Sequence, residues 1–332
     1  MHRSLIGLGM ACLFLCLLGL GCGKKQASDQ ITIGFVVNRP DDTWYQNEWK
    51  FAQQAADKYG FKLVKVGALD GGETLRVIDN LAAMNAKGMI ICAPDVRLGP
   101  TIVAKTSAAG IKLMSVDDQL VGADGKFLDV PHLGISASNI GKMVGEILAE
   151  QMKKRGWKPE ETALCMVTWD ELETGRLRTE GTAQALVDAG FPKERIFRAP
   201  QQNAADVPHA MDAANIMLTQ HPDVKNWLVC STNDNGVLGA IRAMEGRGLD
   251  KDHVIGVGIN GTNAKDEFRR DTPTGFWGSI LLAPRQHGFG TAEMMYQWIK
   301  DGKEPPKITY TNGFLITRDT YEKIMKEEGL LD

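Results

Sequence analysis

The sequence predicts an α/β protein built as two doubly wound domains. Three observations carry that expectation. The chain has 332 residues, too many for one ordinary core and suited to two domains of about 150 residues each. Short β-branched runs alternate with amphipathic segments of helical length, the pattern of parallel sheets covered by helices on both faces. The alternation breaks once, over an irregular patch at 122–133, and then restarts. Two series imply two domains.

The N-terminal segment belongs to neither series. His2 and Arg3 precede an apolar run from Leu5 to Leu20, which stops at Gly21-Cys22-Gly23-Lys24-Lys25. The run is shorter than the roughly 20 residues a helix needs to span a bilayer. A positive start, an apolar middle and small residues before a cysteine read as an export signal. The Leu-Gly-Cys ending resembles the bacterial lipoprotein signal, although Gly19 stands where leucine is usual. The expected boundaries are a signal over 1–21, lipidation at Cys22 and a polar tether over 22–30. An uncleaved anchor is the alternative. Either way the folded part works outside the cytoplasm, tethered to a membrane.

Within the first series, strands are expected at 31–37, 62–66, 88–93 and 112–116. Helices are expected at Trp44–Tyr59, Glu73–Ala86 and Pro100–Ala109, with Gly60, Gly88 and Gly110 as their C-terminal stops. The second series opens with a helix over Asn139–Arg155 and a strand over 163–169. Helix Arg176–Ala189, strand 195–199, helix Val207–Gln220, strand 226–231, helix Val237–Glu245 and strand 254–259 follow.

Charge and cysteine usage exclude several classes. The 38 basic and 41 acidic residues leave a net charge of −3, with no long basic block to neutralise nucleic-acid phosphates. Setting aside the signal and Cys22 leaves Cys92, Cys165 and Cys230, each in an apolar strand-like run. An odd number of distant cysteines is no disulfide framework; they read as buried small hydrophobes. Without CxxC, HExxH or clustered histidines, no metal site is expected. Gly256-Val-Gly-Ile-Asn-Gly261 fits GxGxxG, but its first two glycines fall inside a late strand and no acid lies about 20 residues on. No cofactor is expected.

In doubly wound folds ligands sit beyond the carboxyl ends of the strands. Those ends read Asn38-Arg39-Pro40-Asp41-Asp42, Ala93-Pro94-Asp95, Asp117-Asp118-Gln119, Asp170-Glu171, Thr232-Asn233-Asp234 and Asn260-Gly261-Thr262-Asn263. Helix caps account for some of these acids and amides. The excess suits a neutral ligand rich in hydroxyls, since carboxylates and amides pair hydroxyls that would be costly unpaired. Trp44-Tyr45 follows the first ligand-side loop, where a ring can stack on the apolar face of a pyranose. Arg178 lies near the start of a ligand-side helix, where its fork can serve a ring oxygen and a hydroxyl. Asp117 and Asp118 leave a strand as neighbours and so tend to point apart, which argues against a glycosidase pair.

The stretches WYQNEWKFA (44–52), AKGMIICAPD (86–95), SVDDQLV (115–121), ELETGRLRTEG (171–181), NDNGVLG (233–239) and GVGING (256–261) carry a family resemblance. From about Ile31 to Gly329 the chain resembles the L-arabinose-binding branch of the periplasmic sugar-binding, ABC-import family. The resemblance implies two Rossmann-like lobes joined by a hinge of three crossovers, 31–135 with 283–312 and 136–282 with 313–332, closing on a sugar. It places Asp117 and Asp118 at the sugar, Asp118 on the anomeric hydroxyl, Arg178 at the ring oxygen, and Asn233 and Asn260 on further hydroxyls. Trp44 matches a stacking aromatic, with Tyr45 in the place of a phenylalanine; Cys92 and Thr174 match pocket residues. The departures are Asn38 for a lysine, Asp42 for a glutamate, Asn263 for an aspartate, and Thr232 and Ile135 for methionines.

The implied protein is a monomeric, non-enzymatic binder of a monosaccharide that serves an ABC permease, with a chemoreceptor as a further partner. A sugar-active hydrolase and a chemosensory sugar receptor are the alternatives. A sugar-responsive repressor core shares the fold but needs an N-terminal helix-turn-helix, where this chain has an export signal.

Overall fold

The structure, a computed structural model, describes residues 30–331. The expected signal, Cys22 and all of the tether before Gln30 lie outside the described residues. The chain first lays down β1 (Thr32–Val37), α1 (Thr43–Tyr59), β2 (Lys62–Gly67), α2 (Gly71–Ala83), β3 (Gly88–Ile91), α3 (Gly99–Ala108), β4 (Lys112–Asp117) and β5 (His132–Ile135). It continues with α4 (Ala137–Lys154), β6 (Thr162–Thr168), α5 (Glu173–Asp188), β7 (Ile196–Pro200), α6 (Val207–Gln220) and β8 (Asn226–Ser231). Next come α7 (Asp234–Glu245), β9 (Val254–Asn260), α8 (Ala264–Phe268) and β10 (Phe276–Leu281). A π-helical turn at Gln286–Gly290 leads into α9 (Thr291–Asp301), β11 (Ile308–Thr311), β12 (Phe314–Thr317) and α10 (Tyr321–Glu327).

These strands form two six-stranded sheets, ordered β11-β5-β4-β3-β1-β2 and β12-β10-β9-β8-β6-β7. The strand pairings are parallel except β10 with β12. The chain therefore passes between the sheets at three places: after β5, after β10 and between β11 and β12. Side chains alternate across each sheet, as the pleat requires. On β1, Ile33, Phe35 and Val37 join the inner core with Ala52 of α1 and Met295 of α9, whereas Val36 faces Leu81 of α2 and Ile102 of α3. The second sheet is covered by α4 and α5 on one side and by α6 and α7 on the other.

Several expected boundaries shift for local reasons. Gly88 is not a helix stop: it opens β3, where any Cβ would strike Met295 and Ile299 of α9. The helix before it ends at Ala83, and Asn85 makes the left-handed turn (φ 57°). Asparagine tolerates that conformation better than most side chains. Gly60 and Gly110 do adopt left-handed φ after α1 and α3. β5 emerges from the end of the patch expected to be irregular. α5 and α7 begin three residues earlier than the sequence periodicity indicates, Glu173 against Arg176 and Asp234 against Val237. The glycines of the GxGxxG match serve packing: a Cβ on Gly256 would meet Val237 and Ile241, and one on Gly258 would meet Asp234.

α4 and α5 meet backbone to backbone, because Gly141 and Gly145 of α4 and Gly181 of α5 remove side chains from the contact. A Cβ on Gly141 would lie 2.1 Å from the Arg178 carbonyl oxygen. Thr182 Oγ1 donates across the same seam to the Gly141 carbonyl at 3.0 Å. Gly141→Ala must push the helices apart and should cost about 1–3 kcal/mol, the usual penalty of overpacking. Chemical denaturation of the variant measures it; unchanged stability would mean that the seam has slack.

Candidate functional site

The carboxyl ends of the strands of both sheets converge on a cleft of about 390 Å³, the size range of small-molecule sites. The first sheet contributes Asp42, Trp44, Tyr45, Asp117 and Asp118 to its wall. The second contributes Thr174, Arg178, Thr232, Asn233, Asn260 and Asn263, while Ile135 and Leu282 lie where the chain crosses. Two of the expected residues do not line the cleft. Asn38 turns its amide to Cys92 Sγ (3.5 Å) and the Ala93 carbonyl (3.3 Å), and the fully buried Cys92 stands behind Tyr45 and Asp118.

Most polar groups in the wall are held from behind. Asp42 caps α1 through Oδ1, which accepts from the Trp44 amide at 2.9 Å. Asn233 caps α7, its Oδ1 accepting from Gly236 at 3.0 Å. Asn260, at φ 111°, accepts from the Thr262 hydroxyl at 3.0 Å, and Asn263 donates to Asn235 Oδ1 at 3.1 Å. Arg178 donates through Nη1 to the Thr232 carbonyl at 2.7 Å, leaving its buried Nε without a partner. Thr174 Oγ1 reaches Asp118 Oδ1 at 3.4 Å, so the two walls touch directly.

Asp117 and Asp118 do point apart. Asp117, in the left-handed region (φ 63°), accepts from His287 Nδ1 at 2.7 Å and from Trp44 Nε1 at 3.3 Å. Asp118 faces Thr174, and burial followed by the Asp117 charge pushes its pKa up to about 6. Beneath Asp117 lies Glu48, fully buried, with no hydrogen-bond partner on either oxygen and His287 Nδ1 at 3.5 Å. Burial, then the neighbouring Asp117 charge, drives Glu48 well above the ordinary carboxylate range. Burial opposes charge on His287, but hydrogen bonding and charge attraction from Asp117 and Glu48 together outweigh that and raise its pKa to about 9. Against burial, the bond and charge of His287 together with the bonds from Trp44 and Glu48 keep Asp117 below its usual value.

Glu48, Asp117 and His287 bring three potential ligand atoms within 4.8 Å. The 2.7 Å between His287 and Asp117 is a hydrogen-bond length. Ligands on one tetrahedral zinc, each about 2.0–2.2 Å from it, stand about 3.3 Å or more apart. The cluster therefore fits a shared proton better than a cation.

The second wall depends on Asp234, fully buried, which accepts from Ser279 Oγ at 2.6 Å and from the Gly261 amide at 2.8 Å. It pins the turn that presents Asn260 and Asn263. Burial raises its pKa to about 7 against those hydrogen bonds.

The structure also adds residues to the site. Arg39, Trp169 and Asn235 line the cleft; Arg39 and Trp169 sit just past strand ends, within reach of the strand-end rule, and Asn235 lies in the first turn of α7. Glu48 carries its own signal, an acid on the buried stripe of α1 between Tyr45 and Phe51. His287 carries none, being far in sequence from both acids it meets.

An α/β body of two sheets with a polar, back-bonded cleft between them defines a ligand-capture protein, suited to a small polar solute. The chain matches, over residues 30–322, the family described as periplasmic binding proteins and the sugar-binding domain of the LacI family, and it belongs to that family. It is 44% identical over 320 residues to the L-arabinose-binding periplasmic protein of Escherichia coli K12, covering 95% of this chain and 97% of the relative. It is 45% identical over 319 residues to the ABC transporter L-arabinose-binding periplasmic protein of Azospirillum brasilense, covering 95% of each. A solute-binding protein from Actinobacillus succinogenes, solved with bound D-allose, superposes with a TM-score of 0.72 at 19% identity over 89% of this chain and all of that one, which shows the fold. Both relatives are named as binding proteins.

Asp118 and Asp234 hold a proton more tightly folded than unfolded. Their contribution to stability is present below pH about 4 and is lost as pH rises through about 6 and about 7 respectively. Ligand-free protein should therefore lose stability across that window. Asp118→Asn and Asp234→Asn should each flatten the decline in denaturation series from pH 4 to pH 8. An unaltered slope in both variants would show that neither acid is desolvated.

Proposed function

We propose that this is an exported, periplasmic solute-binding protein that captures L-arabinose or a related aldopyranose, such as galactose or fucose, and delivers it to an ABC permease. The near-full-length likeness to two L-arabinose-binding proteins carries the reading. The moving bodies are the lobes 31–135 with 283–312 and 136–282 with 313–332. Capture is by hinge closure, as in other periplasmic binding proteins; no bond is made or broken. Cys22 carries the lipid that holds the protein at the membrane. The protein acts as a monomer, and its closed form is the one that would dock on a permease or a chemoreceptor.

In this reading Asp118 accepts from the anomeric hydroxyl. The unpartnered Nε of Arg178 serves the ring oxygen, and Asn233 and Asn260 pair further hydroxyls. Trp44 stacks on the sugar with Tyr45 beside it, and Thr174, Thr232 and Asp117 complete the enclosure. Asn38, Asp42, Asn263 and Cys92 shape the side that departs from the family pattern. A pocket that pairs hydroxyls rejects mismatched ones strongly, so those departures bear on which sugar is preferred.

Calorimetric titration with L-arabinose, D-galactose, D-fucose, D-xylose and ribose tests the reading; binding to none of them would overturn it. Asp118→Ala should cost about 1.5–3 kcal/mol, a tenfold to more than hundredfold loss, because it removes a charged acceptor from a buried hydroxyl. Asn38→Lys combined with Asp42→Glu and Asn263→Asp should shift preference toward L-arabinose in the same panel. A parent already preferring L-arabinose, with its ranking untouched by the replacement, would show that the altered side does not set specificity.

A further inference from the structure

We infer that His287 is a positioning residue that ties the cleft-facing carboxylate of Asp117 to all three crossings between the sheets. His287 is fully buried in the π-helical turn just after the second crossing. Its Nδ1 donates to Asp117 Oδ1 at 2.7 Å, and its Nε2 meets Thr311 Oγ1 at 2.9 Å. Thr311 is the last residue of β11, immediately before the third crossing. The Thr311 hydroxyl donates to the Gly134 carbonyl at 3.4 Å, and its carbonyl accepts from the Ser136 amide at 3.0 Å. Ser136 is the residue at which the first crossing leaves β5 for α4. One imidazole and one threonine thus connect the three crossings to an acid that lines the cleft.

The acids around the ring favour its charged state. Nδ1 faces Asp117 at 2.7 Å, and the Thr311 hydroxyl meets Nε2 at 2.9 Å and lies 3.4 Å from the Gly134 carbonyl. Asp117 of β4 at 2.7 Å and Glu48 of α1 at 3.5 Å both face Nδ1, and between these two acids the ring is held as an imidazolium. The Trp44 ring packs edge-on against it at 5.1 Å between centroids. His132 on β5, whose own pKa burial pulls down to about 4, stays neutral and adds no opposing charge at working pH. A charge-assisted bond of this kind is roughly twice as strong as a neutral one. It holds Asp117 in its left-handed backbone position while the crossings flex around it. When a ligand draws on Asp117, the pull reaches the hinge through His287.

The inference rests on the sugar-binding reading above, and the test separates the two. L-arabinose is titrated into the parent, His287→Gln and Thr311→Val at steps from pH 7 to pH 10. Hydrogen exchange at Ser136, Leu282 and the 311–313 segment is followed with and without sugar. His287→Gln should bind at least tenfold more weakly and should lose the fall in affinity that the parent shows as pH rises through about 9. Thr311→Val leaves the bond to Asp117 in place, so it should weaken binding only a few-fold while raising exchange at all three crossings. Parent-like exchange at the crossings in both variants overturns the inference, whatever happens to affinity. A parent that binds no sugar overturns the functional reading instead, and the exchange of the ligand-free proteins then decides the inference alone.

Discussion

A polar group taken out of water must be paired, and this constraint organises the whole cleft. A carboxylate or amide facing an enclosed solute has several hydrogen-bonding positions, and the solute cannot fill them all. The protein fills the remainder in advance. Asp42 gives one oxygen to the Trp44 amide, Asn233 gives its carbonyl to Gly236, and Asp117 is held by His287 and Trp44. Each side chain is fixed in orientation by its rear partner and presents what is left. The cost of ordering these groups is met in folding, so a ligand meets a pocket already arranged.

The rear partners come from helix starts, loops and crossings, which explains the shape of the fold around the site. Parallel strands place their carboxyl ends along one edge of each sheet, and the following helices begin there with free backbone donors. Asp42 and Asn233 use those donors as caps while still lining the cleft. The close seam between α4 and α5 brings the backbone of Arg178 against α4. An arginine whose carbonyl is pinned in this way, and whose Nη1 is tied to Thr232, has little freedom left.

Much of this was legible in the sequence because it follows from local rules. The alternation of strands and helices gave the two series, and the strand-end rule led to Asp118, Asn233 and Asn260, all of which line the cleft. It also led to Asn38, which the structure turns away. Which face of the loop a side chain takes is set by Cys92 and Ala93, more than 50 residues away, and no local pattern encodes that. His287 shows the same limit in stronger form. It lies 170 residues from Asp117, in a crossing segment outside both series, and only the three-dimensional path of the chain brings it under the cleft. Glu48 was visible as an acid on an apolar stripe, but its partners were not.

The first loop shows how a cation is set at the rim of the cleft. Asn38 commits its amide to Cys92 Sγ and the Ala93 carbonyl. The next residue, Arg39, lines the cleft, with its guanidinium 5.6 Å from the centre of the Tyr45 ring. Burial disfavours its charge, but Tyr45 and Asp42 more than offset that and leave its pKa raised. Arginine stacks on aromatic faces and offers a planar fork of donors, where lysine offers a compact point charge. The cation of this loop therefore acts from the rim of the cleft, and Tyr45 supplies a ring whose hydroxyl anchors it to Cys92 at 3.5 Å. An arginine at the rim and an anchored phenol behind it set the direction from which this side of the cleft donates, and they place a cation that acts on Asp42 and Asp118.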